Sequence, residues 1–231
     1  MISRNFSQQV IDPAARPRLL IVEDHELVAQ TLALALGQVG MEVETTAGPS
    51  LEAVLDTVAR FRPVLVLLDL ELGAEIGSGL DLVRPITESG ASVVLMTGVT
   101  ERARLAAAVE AGAKGILSKA GGFEELVGAV RRFLDGEAIL ADHQRHELLA
   151  ELRARRSADR ERLQPFETLT AREQSVLALL VAGDSAEVIA AKSYVSLATV
   201  RSQIQSIFRK LGVNSQVAAV ALARGAGWPD G

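Results

Sequence analysis

Residues 64–69 read VLVLLD, a run of five apolar residues that ends in an aspartate. A strand with one solvated face alternates apolar and polar residues, so an unbroken run is typical of a strand covered on both faces. Residues 92–97, SVVLMT, have the same character and end in a threonine. Shorter stretches at 18–23, 42–46 and 115–118 also fit strands. The first 135 residues therefore contain five predicted strands.

Amphipathic segments separate these strands, and their apolar residues have helical spacing. Helices are predicted at Glu26–Gln38, Ser50–Arg60, Leu80–Glu88, Glu101–Ala111 and Phe123–Leu134. Strands that alternate with helices form a parallel sheet with helices on both faces. Residues 18–135 are therefore predicted to be an α/β doubly wound domain with a five-stranded parallel sheet.

Polar side chains stand at the ends of the predicted strands, where the chemistry of such sheets occurs. They are Glu23 and Asp24, then Asp69, Thr97 and Lys119. Three carboxylates at one edge repel each other, and a hard divalent ion such as Mg²⁺ lowers that cost. A carboxylate beside Mg²⁺ can attack a phosphoryl group, which the hydroxyl and the ammonium would then bind. Taken singly, each acid could also be a helix cap and the lysine a solvated charge.

The rear of the chain, residues 167–231, has a wholly helical pattern. Thr170 and Glu173 form a capping-box pair that begins a helix ending at Gly183. Three more short helices are predicted to begin at Ser185, Ser196 and Asn214, the last capped by Asn214 itself. The second and third of these four helices are joined by a tight turn, as in a helix-turn-helix. The sequence therefore predicts a four-helix all-α domain.

The third of these helices is apolar on one face and polar on the other. Its polar face contains Thr199, Arg201, Ser202, Gln205 and Arg209. Arginine can pair with guanine and glutamine with adenine, which suits a helix in the DNA major groove. Lys210 is predicted to hold a backbone phosphate. Many helix pairs of this kind bind no DNA, so the pattern alone leaves that alternative open.

Charge and composition separate the two halves. The chain has a formal net charge of −5, yet residues 16–135 contain 17 acidic and 11 basic residues, and the rear is nearly neutral. Cysteine is absent, which fits a reducing cytoplasm. Residues 1–17 lack the apolar core of a signal peptide, and no apolar run is long enough to span a membrane. A disordered or extended tail at 1–17 and a cytoplasmic protein without membrane contact are therefore expected.

Residues 136–166 connect the two domains. They contain strong helix formers with both signs of charge interleaved, as in HELLAELRARRSADRERL at 146–163. A partly solvated helical linker is the expected structure, with a specific interdomain contact as the alternative.

Residues 18–135 resemble a response-regulator receiver domain, which has a flavodoxin-like fold. The resemblance implies that Asp69 is the phosphoacceptor, and that Glu23, Asp24, Asp69 and the carbonyl of Glu71 hold Mg²⁺. Thr97 and Lys119 would bind the phosphoryl group. Receivers of this kind usually carry an aromatic switch residue near the position of Ile116. The loop after Asp69 is also about two residues longer than usual.

Residues 167–231 resemble the LuxR-type DNA-binding domain, on LTARE at 169–173, EVIA at 187–190, TVR at 199–201 and KLGV at 210–213. The resemblance implies that Arg201, Ser202 and Gln205 face bases, while Thr199 and Lys210 hold phosphates. The fourth helix, residues 214–224, would form the dimer contact. The dimer residues predicted on it are Asn214, Val217, Ala218 and Ala221.

Together the two resemblances imply a NarL/FixJ-class response regulator. Such a protein is a transcription regulator, not an enzyme, and a sensor histidine kinase would phosphorylate Asp69. Dimers would bind double-stranded DNA with two-fold half-sites. Ile116 and the long loop leave open a regulator that acts independently of phosphorylation. A phosphatase of the haloacid-dehalogenase type would need a second aspartate where Glu71 stands.

Overall fold

The computed structural model describes residues 16–46, 50–73, 77–98 and 101–229. The predicted tail at 1–17 lies almost entirely outside these ranges. The chain divides into two compact units, Met1–Leu152 and Arg153–Gly231. Within the described residues, no helix combines the length and the apolar character needed to cross a bilayer.

The first unit contains the predicted five-stranded parallel sheet. Its strands lie in the order β2-β1-β3-β6-β7, with β1 at Arg18–Val22, β2 at Glu42–Thr46, β3 at Leu65–Asp69, β6 at Ser92–Thr97 and β7 at Gly115–Ser118. The helices of this unit are α1 (Glu26–Gln38), α2 (Leu51–Phe61), α3 (Leu80–Glu88), α4 (Arg102–Ala111) and α5 (Phe123–Leu134). The α/β doubly wound prediction is confirmed, and the helix and strand bounds agree within one residue.

Both faces of the sheet are buried, as the apolar run at 64–69 indicates. Val66 and Leu68 of β3 pack in one apolar cluster. Leu65 and Leu67 pack in a second cluster on the other face. All four side chains are fully buried. The strand therefore needs apolar residues at every position until it ends at Asp69.

A short hairpin follows Asp69 within the segment predicted as a long loop. Strand β4 (Glu71–Leu72) pairs antiparallel with β5 (Gly77–Ser78), and residues 74–76 between them lie outside the description. A Cβ atom at Gly79 would lie only 2.0 Å from the carbonyl oxygen of Asp69. This close approach requires glycine, and it returns the chain directly against the end of β3.

Helix α6 (Asp142–Glu167) is largely exposed, and two leucines in its first half are buried. Leu148 and Leu152 are buried against Ala106 and Val109 of α4. The boundary between the two units falls inside this helix, after Leu152. The leucines of α6 are spaced among many charged residues and form only a narrow apolar stripe. The sequence of α6 therefore has the pattern of a solvated helix.

Polar contacts fix the same half of α6. The guanidinium of Arg102 donates to both carboxylate oxygens of Glu151, at 2.8 and 2.7 Å. Arg145 donates to the carbonyl of Ala113 at 3.1 Å. The first half of α6 is therefore part of the first unit.

In the described part of the second unit, four helices follow α6: α7 (Ala171–Val181), α8 (Ala186–Ser193), α9 (Leu197–Leu211) and α10 (Gln216–Ala226). The predicted capping box between Thr170 and Glu173 is present, and Ser185 and Ser196 cap the next two helices. The predicted Asn214 cap is wrong. Ser215 caps α10 instead, because its extended backbone lets its hydroxyl accept from the amide of Ala218 at 3.2 Å.

The turn between α8 and α9 places Tyr194 in the left-handed backbone region, with φ at 54° and the residue 96% exposed. Asparagine tolerates this conformation better than tyrosine. We expect Tyr194→Asn to raise the free energy of unfolding of the second unit by about 0.5–1 kcal/mol. Urea unfolding followed by the fluorescence of Trp228, the single tryptophan, measures this. Tyr194→Phe is the control, and an equal gain in both variants would contradict the backbone explanation.

Candidate functional site

Carboxylates from two neighbouring strands meet at one edge of the sheet. Glu23 and Asp24 follow β1, Asp69 ends β3, and these strands pair directly. One ligand atom from each of these residues and from His25 lies within 4.8 Å of all the others. Glu23 and Asp69 are 1% and 2% exposed, so their charges are poorly solvated. The structure thus brings together three of the predicted acidic residues.

Lys119 joins the two buried carboxylates. Its Nζ atom lies 2.6 Å from Oδ2 of Asp69 and 2.6 Å from Oε2 of Glu23. The backbone amide of Glu71 donates to Oδ1 of Asp69 at 3.1 Å. A single ammonium therefore compensates part of the charge of two carboxylates, and both oxygens of Asp69 already accept hydrogen bonds.

The pKa values of this pair show what burial does. Burial raises the pKa of the Asp69 carboxyl, although the hydrogen bonds from Lys119 and Glu71 oppose it. Burial also acts to lower the pKa of the Lys119 ammonium, but its hydrogen bonds to Asp69 and Glu23 outweigh burial, and the net pKa is raised. Lys119 is therefore held protonated, as a donor to phosphoryl oxygens would need to be.

Thr97 and Ile116 lie on the next two strands. Thr97 is the last residue of β6, one position beyond the partner of Asp69, and is 4% exposed. Ile116 of β7 packs partly against the sheet core and partly against the α4–α6 cluster. Thr97 is thus at the same sheet edge as Asp69, while Ile116 packs against the apolar cluster that contains Ala106, Val109, Leu148 and Leu152.

His25 is a member of the cluster that sequence reasoning missed. Its side chain is 69% exposed, as is typical of a surface residue. Yet its Nδ1 atom lies 2.9 Å from Glu23 and 2.8 Å from Asp24. The hydrogen bond with Glu23 and the charge of Asp24 raise its pKa. Its position directly after two acids at a strand end was the available signal.

The acidic cluster suits a hard cation, because carboxylate oxygens are the ligands that Mg²⁺ prefers. Three carboxylates supply them, and the buried pair is only partly compensated by Lys119. Glu71 takes part through its amide, while its side chain is exposed.

The polar face of α9 is open to solvent in the second unit. Thr199, Arg201, Ser202, Gln205 and Arg209 are all exposed. Val200, Ile204, Ile207 and Leu211 are buried in the core of the unit. The helix thus presents to solvent the residues predicted to contact DNA.

Two of the predicted DNA residues have partners within the second unit. Arg201 lies 3.4 Å from the carboxylate of Glu187 on α8, and both side chains are exposed. Lys210 lies 2.6 Å from Glu173 and is only 29% exposed. Its ammonium stabilises the capping box of α7, so a phosphate contact would have to compete with an internal ion pair.

The predicted dimer residues lie at the start and along one side of α10. Asn214, Val217 and Ala221 are exposed, and Ala218 is half-buried. Val217, at 80% exposure, is the most exposed large apolar side chain of this set.

Two family models match the chain. The response regulator receiver domain model matches residues 19–131, and the model of bacterial regulatory proteins of the luxR family matches residues 167–223. Over 214 residues the chain is 33% identical to the nitrate/nitrite response regulator protein NarP of Escherichia coli, covering 91% of this chain and 96% of NarP. The chain is a NarL/FixJ-class response regulator. The predicted class, a DNA-binding transcription regulator of a two-component system, is confirmed.

Other relatives match this response regulator over nearly their whole length. The probable transcriptional regulatory protein NarL of Mycobacterium tuberculosis is 31% identical, over 89% of this chain and 93% of NarL. Among solved structures, RcsB from Salmonella enterica serovar Typhimurium, bound to a promoter in the presence of phosphomimetic BeF3-, has a TM-score of 0.50 and 24% identity. That match covers 90% of this chain and 98% of RcsB, and it shows a shared fold.

The ion pair of Glu173 makes the stability of the response regulator depend on pH. The hydrogen bond from Lys210, followed by that from the Thr170 amide, lowers the pKa of Glu173 from 4.5 to about 2. The pair therefore contributes stability above the unfolded pKa of 4.5, and this is lost as the pH falls towards 2. We expect Glu173→Gln to destabilise the second unit by about 2 kcal/mol at pH 7 and by much less near pH 3.

Urea unfolding followed by Trp228 fluorescence at the two pH values measures this difference. Glu167→Gln removes an exposed carboxylate of α6 and is the matched control. A Glu173→Gln penalty that stays constant between pH 7 and pH 3 would contradict the assignment.

Proposed function

We propose that Asp69 of this response regulator accepts a phosphoryl group from a sensor histidine kinase, and that this controls DNA binding by α9. The observation that carries the proposal is the buried Asp69 carboxylate, held by Lys119 beside Glu23 and Asp24. Chromosomal DNA as the partner makes the cytoplasm the expected compartment.

The transfer needs little from the protein beyond positioning and charge. A carboxylate oxygen of Asp69 attacks the phosphorus of a phosphohistidine, the P–N bond breaks, and the imidazole leaves with the bonding pair and takes up a proton. Lys119 then donates to a phosphoryl oxygen instead of to the free carboxylate. The hydroxyl of Thr97, at the same sheet edge, donates a hydrogen bond to another phosphoryl oxygen.

Mg²⁺ would be held by Glu23, Asp24, Asp69 and the carbonyl of Glu71. When bound, it supplies positive charge that neutralises the phosphoryl oxygens during transfer. Glu23 is fully buried and paired with Lys119, so it acts mainly by orienting its neighbours, whereas Asp24 is open enough to bind directly.

On DNA, the exposed face of α9 enters the major groove. Arg201, Ser202 and Gln205 contact bases, Thr199 contacts a phosphate, and Arg209 lies on the same face. Lys210, which is paired with Glu173, would contribute a further phosphate contact. Residues 167–231 have six basic and five acidic side chains, so one copy is expected to bind weakly. Pairing of two copies through Asn214, Val217, Ala218 and Ala221 would engage two half-sites together.

Labelling with acetyl phosphate and Mg²⁺ tests the acceptor. We expect wild type to incorporate close to one phosphoryl group per chain, and Asp69→Asn to incorporate almost none. Asp81→Asn, which changes an exposed carboxylate on α3, should label as wild type does. Equal labelling of Asp69→Asn and wild type would show that another residue is the acceptor.

DNA affinity tests the recognition helix. On duplexes selected from a random pool with phosphoryl donor present, Arg201→Ala should weaken binding by roughly 5- to 150-fold, since a bidentate base contact is worth about 1–3 kcal/mol. Arg172→Ala removes the same charge from an exposed position on α7 and is the matched control. If both variants lose the same small amount of affinity, Arg201 reads no base.

A further inference from the structure

Arg104 links helix α4 to the two residues that follow the proposed phosphoacceptor. Its Nη2 atom donates to the carbonyl of Leu70 at 3.2 Å, and its Nη1 atom lies 3.6 Å from the carboxylate of Glu71. The side chain is 31% exposed, so the charge is partly shielded from water. Arg104 therefore contacts the two residues that directly follow Asp69.

The segment that Arg104 contacts is held firmly at its base. The carbonyl of Leu70 also accepts from the amide of Gly79 at 3.1 Å, and the Leu70 side chain is fully buried. The Glu71 amide donates to Asp69 itself. Because these contacts hold Leu70 in place, we expect a change of charge at Asp69 to move the guanidinium of Arg104 more readily than the backbone of Leu70.

The other contacts of α4 lead to α6. Ala106 and Val109 pack against Leu148 and Leu152, and the bidentate pair of Arg102 with Glu151 ties the two helices further. Helix α6 then continues past Leu152 as one helix to Glu167. Arg102 and Arg104 therefore connect α4 to α6 and to the Asp69 loop, respectively.

Ile116 cannot make a comparable polar link. Its aliphatic side chain offers neither a donor nor an acceptor, and it packs between the sheet core and the α4–α6 cluster. Arg104, in contrast, is always charged and has five donors in a planar fork.

We infer that Arg104 is the positioning residue that transmits the state of Asp69 to α4 and α6. The inference rests on the proposed role of Asp69 as phosphoacceptor. A phosphoryl group there adds negative oxygens beside Glu71, and these compete with the Glu71 carboxylate for the guanidinium. Arg104 then turns towards the phosphoryl group, and α4 shifts against the first half of α6.

Hydrogen exchange of the full chain, read by mass spectrometry with and without acetyl phosphate and Mg²⁺, tests this. In wild type, phosphorylation should change the exchange rates of peptides from 102–111 and 142–152 at least threefold. Arg104→Gln should still incorporate the phosphoryl group yet lose most of that change. Arg104→Lys keeps the charge without the fork and should retain an intermediate response. Arg84→Gln, an exposed arginine on α3, should respond as wild type does.

The outcomes separate the two proposals. A labelled Arg104→Gln variant with the full exchange response would overturn the role of Arg104 and leave the phosphoacceptor intact. An unlabelled wild type would overturn the phosphoacceptor, and the role of Arg104 with it. If Arg104→Gln folds poorly, an Arg104→Lys response equal to that of wild type equally overturns the inference, because the fork would then be dispensable.

Discussion

The ammonium of Lys119 is the interaction on which the front of this protein depends. Two carboxylates, Glu23 and Asp69, are almost completely buried a few ångströms apart, and neither could remain ionised there without a compensating charge. A buried charge that loses its partner is strongly destabilising, so the stability of this sheet edge depends on Lys119. Under the proposed function, Lys119 and the two carboxylates would exchange these internal contacts for contacts with a cation and a phosphoryl group.

A comparable ion pair stabilises a helix cap in the second unit. Glu173 and Lys210 also form a shielded ion pair, but the carboxylate is committed to the capping box of α7 as well. No strand end and no neighbouring acids accompany it among the described residues. The contrast shows that a perturbed carboxylate marks a functional site only when its surroundings leave it something to exchange.

Much of this architecture could be predicted because it follows from local rules. The apolar run at 64–69 and the capping serines fixed the strands and helices, and strand ends of a parallel sheet must share an edge. The prediction was wrong where two adjacent residues could both cap a helix, since Ser215 caps α10 instead of Asn214. It also missed the contacts of His25 and Arg104, since these depend on side-chain directions across elements that no periodicity encodes.

The packing of Leu148 and Leu152 on α4 limits where the front unit can be separated from the rest of the chain. The covalent joint between the two units does not coincide with the end of the last sheet-covering helix, because the front unit uses α6 up to Leu152. A front domain separated after residue 135 would leave Ala106 and Val109 uncovered. A crossover with a related protein would therefore preserve the front unit only if it fell after Leu152.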